Sequence, residues 1–330
     1  MKPLVVVGGA IHPHGVKALE TEARVIVTEE TTEEGMLRVA KEAAGILFRI
    51  KPNCSRSLIA ACPNLKVVGR HGVGLDTVDL KAATELGVAV VHAPGSNSDS
   101  VAEHAMMLIL ASVKNAVVVD RITRKSDWSG NRWQGNFEVK GKTLGIIGVG
   151  NIGRRVAGMA AAFGMRVIGY DPYVPADELR ARGAEAVPSL EALLRQADVV
   201  TCHTPHTPET HHMINGGTIA RMKDGAIFVN TSRGKVQDEA ALLAALKTGK
   251  IARAGLDVFE EEPVSSDSQL LQQDNVIVSS HIAGVTIETI RGMALQVTAE
   301  MLRVLRGEKP HVLGNPDLWP RLGHLKPASK

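Results

Sequence analysis

Cysteine is scarce. Cys54, Cys62 and Cys202 are the three in 330 residues, and no C-x-x-C pair occurs. That excludes a disulfide-built scaffold and a cysteine metal cage, so no metal is expected, and it fits the reducing cytoplasm. Aromatic residues make up 3% of the chain, too few for base-stacking platforms. Neither sign of charge dominates: 38 Lys and Arg against 35 Asp and Glu leave a formal net charge of +3. With no dense basic run, neither a nucleic-acid nor a membrane partner is indicated. Long apolar runs are missing as well. The stretch Val101 to Val119 is interrupted by Glu103, His104, Lys114 and Asn115, which makes it a poor membrane span. No cleavage-like segment follows the apolar start Leu4 to Val7, which serves better as a first buried strand than as a signal peptide.

What remains is ordinary for a globular protein, with 44% hydrophobic and 22% charged residues in a length that suggests about two domains. Residues 1 to about 95 alternate helical segments with strand-like runs at Leu4–Val7, Arg24–Thr28, Gly45–Phe48, Lys66–Gly69 and Val88–His92. Pro94 to Ser98 is a cluster of breakers and reads as a hinge. Ser100-Val-Ala-Glu103 has capping-box spacing and is expected to open a long buried helix. From Leu144 the alternation becomes regular, with strands expected near 143–147, 166–170, 198–202, 226–230, 252–256 and 275–279. Helices are expected between them, including Asp238 to Leu246, and a further amphipathic helix over Thr286 to Arg306. The tail after Gly307 is rich in Pro and Gly and is expected to wrap over the surface or fray.

The resulting fold class is α/β, with two flavodoxin- or Rossmann-like domains. A doubly wound parallel sheet over 97–283 is inserted into a smaller domain built from 1–96 and 284–330. The crevice between the two is the expected site.

The most informative segment lies in the inserted domain. Lys142 to Ile147 is a strand that feeds the turn Gly148-Val-Gly150-Asn-Ile-Gly153, and a helical pattern follows. Gly148 allows a tight turn, Gly150 lets a pyrophosphate approach the backbone, and Gly153 lets helix and strand pack closely. Phosphates would meet free N–H groups and the positive end of the helix dipole. Asp171 falls eighteen residues after Gly153, at the end of the next strand, where a carboxylate can accept from both ribose hydroxyls of NAD. Pro172-Tyr173-Val174 follows, with no Arg to receive a 2′-phosphate, so the expected cofactor is NAD and not NADP.

Three strand-end segments carry candidate chemistry: Asn230-Thr-Ser-Arg233-Gly234, Asp257-Val-Phe-Glu260-Glu-Glu262-Pro263 and His281-Ile-Ala-Gly284. Loops beyond the carboxyl ends of parallel strands converge on ligands. An Arg can hold a carboxylate and polarise the adjacent carbonyl. A His can exchange a hydroxyl proton near neutral pH, and a Glu beside it can orient the ring. Singly, Arg233 reads equally well as a surface ion-pair partner, Glu262 as a solvated acid and His281 as one of twelve histidines. Their placement after three consecutive strands is what makes the functional reading the sharper one.

Together with Gly69-Arg-His-Gly-Val-Gly-Leu-Asp76-Thr-Val-Asp79 and Ser100-Val-Ala-Glu103-His104, these motifs resemble the D-isomer-specific 2-hydroxyacid dehydrogenases over nearly the whole chain. The family includes phosphoglycerate, D-lactate, glyoxylate and hydroxypyruvate enzymes. The resemblance implies NAD-dependent hydride transfer at C2 of a D-2-hydroxy acid, with Arg233, Glu262 and His281 as catalytic residues. It implies a homodimer through the nucleotide domain. Gly148, Gly150, Asn151, Ile152, Gly153, Asp171, His203, Thr204, Pro205, Thr231 and Gly284 would lie along NAD, and Asp257 would bond the nicotinamide carboxamide. Val73 and Gly74 would present N–H groups to the substrate carboxylate. The ordinary reading of Asp257 is a strand-end Asp capping a turn. Ser280 departs from the family, which commonly has proline before the histidine.

The substrate is less determined. Arg49-Ile-Lys51 follows a strand at a spacing that aims both cations one way, and Arg70 ends the next strand. They read either as loop cations in water or as holders of a second substrate anion. Phosphoglycerate dehydrogenases resemble this chain in carrying cations there, so 3-phosphoglycerate or 3-sulfolactate stands beside glycerate/hydroxypyruvate, glyoxylate and lactate. The regulatory module that some of those enzymes carry is not expected here. Formate dehydrogenase, which resembles this fold, has Gln at the position of Glu262. The NAD-sensing corepressors, which resemble these enzymes and keep their Arg, Glu and His, give an alternative of another class.

Overall fold

Short runs of Val, Ile, Leu and Ala form parallel strands throughout, and the inner ones are buried on both faces, as expected where helices cover both sides of a sheet. The structure is a computed structural model that describes residues 2–128 and 135–321. It divides into two units, one taking the chain up to Asn97 and again from Val285, the other Ser98–Gly284.

In the first unit, strands β1 (Leu4–Gly8), β2 (Arg24–Thr28), β3 (Gly45–Phe48), β4 (Val67–Arg70) and β5 (Ala89–Val91) form a parallel sheet in the order β2-β1-β3-β4-β5. The long helix Ile287–Leu305, capped by Thr286, packs on it through Met293, Val297 and Met301. Its Met301 lies so close to Gly69 that a Cβ there would come within 2.4 Å of the sulfur. The tail beyond Gly307 is anchored where it is described. The Gly314 amide donates to the Val90 carbonyl at 2.7 Å, the Val90 amide donates to the Asn315 side chain at 2.9 Å, and Leu318 is fully buried.

The second unit holds β6 (Thr143–Ile147), β7 (Arg166–Tyr170), β8 (Glu185–Ala186), β9 (Val199–Cys202), β10 (Ala226–Asn230), β11 (Ile251–Leu256) and β12 (Val276–Val278). They form one parallel sheet in the order β12-β11-β10-β9-β6-β7-β8. The order reverses between β6 and β9, the topological switch point at which doubly wound sheets bind ligands. Two buried clusters cover its two faces, one around Phe228 and Leu242, the other around Ile109 and Val156. The edge strand β8 was not expected. Its two residues pair with Ile168 and Gly169 and carry no apolar alternation to read.

One expected cap is corrected. The buried helix spans Ser98–Val113, so Ser100 sits inside its first turn, and its hydroxyl donates to the Ala283 carbonyl at 2.6 Å in place of capping. A long-range carbonyl acceptor took the place of the local amide donor that a capping hydroxyl would meet.

Candidate active site

The glycine turn closes β6 onto the helix Gly153–Ala162. Gly148 takes φ 84°, and a Cβ there would lie 2.9 Å from the His203 carbonyl oxygen. A Cβ on Gly153 would lie 2.3 Å from the Gly148 carbonyl oxygen. Only Gly fits at either place. A Cβ on Gly150 would meet nothing within 4 Å, so this turn faces open space at the first turn of a helix. A pyrophosphate fits such a cradle, because the unbonded N–H groups of the helix start face the anion. Asn151 is exposed beside it and Ile152 is half-buried.

Asp171, one residue beyond β7, accepts from the Val149 amide and from the Tyr173 amide, each at 3.1 Å. This ties the carboxylate to the glycine turn while leaving it half-exposed for a ribose. A cation that local sequence did not place here reaches the same turn: Arg182 donates to the Val149 carbonyl and pairs with Glu178. His203, Thr204 and Pro205 follow β9 on the other flank. Burial pushes the His203 imidazole down to about 3, so it is neutral. It lies 3.1 Å from the Thr201 hydroxyl and 3.4 Å from that of Thr231. The Thr204 hydroxyl is buried and has no hydrogen-bond partner among the described residues, an orphaned donor beside the glycine turn.

The three chemistry-bearing loops converge in this unit. His281 Nδ1 lies 2.7 Å from Glu262 Oε2, and the Phe259 amide donates to Glu262 Oε1 at 3.0 Å. Burial alone would raise the Glu262 carboxyl. The bonds from His281 and Phe259, with the charges of His281 and Arg233, hold it below its usual range instead. Arg233 follows β10, and its neighbour Gly234 meets the Glu262 loop directly. A Cβ on Gly234 would lie 1.8 Å from the Phe259 carbonyl oxygen. The same loop is clasped to the helix Glu239–Thr248: the Glu239 amide donates to Glu260 Oε1 at 2.7 Å, and the Glu260 amide to Glu239 Oε1 at 2.8 Å. Gly284 ends the His281 segment.

Asp257 anchors the turn that carries His281. Its side chain is 1% exposed and accepts from Ser279 Oγ at 2.6 Å and from the Ile282 and Ala283 amides at 2.9 Å each. The structure shows it capping the turn that carries His281. A strand-end carboxylate beside free amides takes them first, because leaving it buried without donors costs far more.

The candidate substrate residues belong to the first unit. β3 ends at Phe48, so Arg49 and Lys51 lie in a loop where strand alternation no longer aims them together, a correction to the spacing argument. Arg49 is half-buried and Lys51 exposed. Arg70 folds back over its own loop: its guanidinium donates to the His71 carbonyl at 2.8 Å and fills the space beside Gly72. Burial, with the charges of Arg49 and Arg70 adding to it, lowers His71 to about 4 despite its bond to the Ile290 carbonyl. Val73 accepts from His92 at 2.8 Å through its carbonyl. Among the described residues, none accepts from the Val73 or Gly74 amide. Nor do any three His, Cys, Asp or Glu residues converge as a metal site, and no helix is long and apolar enough to cross a membrane.

Residues 106–283 match the family model described as D-isomer specific 2-hydroxyacid dehydrogenase, NAD binding domain. The chain belongs to this family. Among its dehydrogenase relatives, D-3-phosphoglycerate dehydrogenase of Methanocaldococcus jannaschii is 42% identical over 98% of this chain and 62% of its own length. Glyoxylate reductase of Korarchaeum cryptofilum is 37% identical over 96% of this chain and 97% of its own. Among solved structures, D-lactate dehydrogenase from Aquifex aeolicus, complexed with NAD and lactic acid, superposes with a TM-score of 0.80. It is 33% identical and covers 92% of this chain and 96% of that one. The chain spans 62%, 52% and 49% of the length of three phosphoglycerate dehydrogenases that it matches.

Within the dehydrogenase framework, NAD is the cofactor that the second unit is built for. Motif reading identified the glycine turn, Asp171, Arg233, Glu262 and His281. It passed over Ser279 and the Glu239–Glu260 clasp, whose partners are distant in sequence, and Arg182, whose number says nothing of the turn it reaches.

Proposed function

We propose that the protein is an NAD-dependent oxidoreductase that interconverts a D-2-hydroxy acid and its 2-oxo acid. The observation that carries this is the 2.7 Å bond between His281 Nδ1 and Glu262 Oε2, with the Arg233 charge acting on the same carboxylate. A carboxylate only accepts, so Nδ1 bears the proton of that bond and Nε2 is left to exchange a proton with the substrate oxygen. In the reductive direction Nε2 gives its proton to the carbonyl oxygen, and Glu262 stabilises the charge and holds the ring. Arg233 pairs with the substrate carboxylate and polarises the neighbouring carbonyl. Bound NAD supplies the hydride donor or acceptor. Val73 and Gly74 offer amides to the substrate carboxylate. Gly148, Gly150, Asn151, Ile152, Gly153, Asp171, His203, Thr204, Pro205, Thr231 and Gly284 line the cofactor.

For the substrate we favour a 2-hydroxy acid with a second anionic group, of the 3-phosphoglycerate or 3-sulfolactate type, met by Arg49 with help from Lys51 or Arg70. The names of the phosphoglycerate relatives support this. Hydroxypyruvate or glyoxylate reduction is the second reading, favoured by the glyoxylate reductase that matches this chain over 97% of its length. A homodimer through the NAD-binding unit and a cytoplasmic location complete the proposal, the latter resting on three free, buried cysteines.

The test is NADH oxidation with a panel of 2-oxo acids: 3-phosphohydroxypyruvate, 3-sulfopyruvate, hydroxypyruvate, glyoxylate and pyruvate. Turnover that collapses in His281→Ala is expected. A wild-type protein that binds NADH and reduces none of the panel would leave a cofactor-sensing role in its place.

A further inference from the structure

His281 holds φ 55°, in the left-handed region that a residue with a Cβ avoids unless its surroundings impose it. Ser280 precedes it and brings no ring to restrict the backbone. The constraint comes from hydrogen bonds. The His281 amide donates to the Asp257 carbonyl at 2.8 Å, and the next two amides go to the two oxygens of the Asp257 side chain. Ser279 Oγ donates its one proton to Asp257 Oδ1 at 2.6 Å. His104 Nε2 lies 2.8 Å from that hydroxyl oxygen, so the imidazole must be the donor there. At the other end of the turn, the Ser100 hydroxyl donates to the Ala283 carbonyl at 2.6 Å. Ser100 and His104 stand four residues apart on one face of the helix Ser98–Val113, so a single rigid element grips both ends of the turn.

We propose that His104 is a positioning residue for His281, acting through Ser279 and Asp257, while Ser100 of the same helix holds the far end of the turn. This rests on the dehydrogenase reading of His281. The helix face sets where the Asp257 carboxylate sits, and Asp257 sets the backbone from which the His281 ring extends toward Glu262. Without the His104 donor, Ser279 Oγ lacks its incoming bond and its hydroxyl is free to turn away from Asp257. The buried carboxylate then loses a donor and the turn loosens.

The test compares His104→Leu with His104→Gln, whose amide can still donate to Ser279. For the best 2-oxo acid, His104→Leu is expected to lower kcat on the order of 10- to 100-fold, as a misplaced catalytic group does. KM for NADH should change much less than kcat, because the glycine turn, Asp171 and the residues after β9 are untouched. Amide hydrogen exchange at Ile282 and Ala283 should accelerate in His104→Leu, and His104→Gln should recover both readouts in large part. Wild-type kcat and unchanged exchange in His104→Leu would overturn the proposal, as would a Gln variant that falls as far as the Leu one. If His104→Leu does not fold, Ser279→Ala decides by the same two readouts. If the wild-type protein reduces no 2-oxo acid, the functional reading fails, and exchange at Ile282 and Ala283 still decides the role of His104.

Discussion

Glu262 Oε2 accepts a hydrogen bond from His281 Nδ1 at 2.7 Å, across 19 residues of sequence and between the ends of two different strands. The other oxygen of the same carboxylate is held by the Phe259 amide. Glu262 is thereby fixed to its own loop by one atom and orients the imidazole with the other. A depressed carboxyl makes its contribution above the unfolded value and loses it as pH falls through the folded value. The pair should therefore persist at pH 4.5, the ordinary Glu value, and fail only in stronger acid. Glu262→Gln keeps the shape and removes the charge. It should lower kcat on the order of 10- to 100-fold with little change in NADH binding, measured by steady-state kinetics beside fluorescence titration of NADH.

Glu239 moves the other way. Burial, joined by the charges of Glu260, Glu261 and Glu262, raises its carboxyl above 4.5 against the opposing bond from the Glu260 amide. The folded state thus holds the proton longer than the unfolded chain, and stability declines as pH rises from the unfolded value through the folded one. Glu239→Gln retains an acceptor for the Glu260 amide without the charge. Its Tm should exceed the wild type's at pH 7, and the difference should vanish as pH falls below 4.5. Equal Tm values at both pH values would show that the clasp carries no electrostatic strain.

Gly153→Ala places a methyl group 2.3 Å from the Gly148 carbonyl oxygen. The turn must shift or the helix must move away. A loss of about 1–3 kcal/mol in stability is expected, as for overpacking elsewhere. NADH affinity should fall with it, while Gly158→Ala, where a Cβ meets nothing within 4 Å, serves as the control. Thermal unfolding and NADH titration of both variants give the answer.

Asp171 is tied to the glycine turn through the Val149 amide, where under the proposed function it meets the ribose and repels a 2′-phosphate, whereas Arg182 lies at the same turn, paired with Glu178. Asp171→Ala should raise KM for NADH about tenfold, the scale of one charge-assisted bond. It should also narrow the preference over NADPH, since the repelling carboxylate is gone and a cation remains. An unchanged NADH/NADPH ratio would mean that discrimination lies elsewhere.

Arg49→Ala tests the second anion. It should lower kcat/KM on the order of 10-fold or more for 3-phosphohydroxypyruvate or 3-sulfopyruvate and leave glyoxylate nearly unchanged. A uniform effect across substrates would assign Arg49 to the fold or to the common carboxylate.

Much of this was legible along the chain. The strands Gly45–Phe48 and Ala226–Asn230 occupy the bounds expected of them, because both-face burial leaves unbroken apolar runs between turn residues. The helices expected from Asp238 and from Thr286 begin one residue later, at Glu239 and Ile287, with Asp238 and Thr286 as their caps. β8 was not legible, having two residues and no alternation. The Ser100 hydroxyl was assigned to its own helix because an acceptor 183 residues away does not show in local spacing. The bonds from the Ile282 and Ala283 amides to the Asp257 carboxylate were not legible either, because their donors stand 25 and 26 residues further along the chain.

The residues alone determined the alternation of strands and helices, the glycines of the nucleotide turn and the identities of Arg233, Glu262 and His281, because period, backbone freedom and side-chain chemistry are local properties. Tertiary structure decided the direction in which His281 points, since its left-handed backbone is imposed by Asp257, Ser279 and His104, the last of them 175 residues from Ser279. Contacts at that separation exist only once the sheet and the helix Ser98–Val113 have packed together, and no pattern within a short window encodes them.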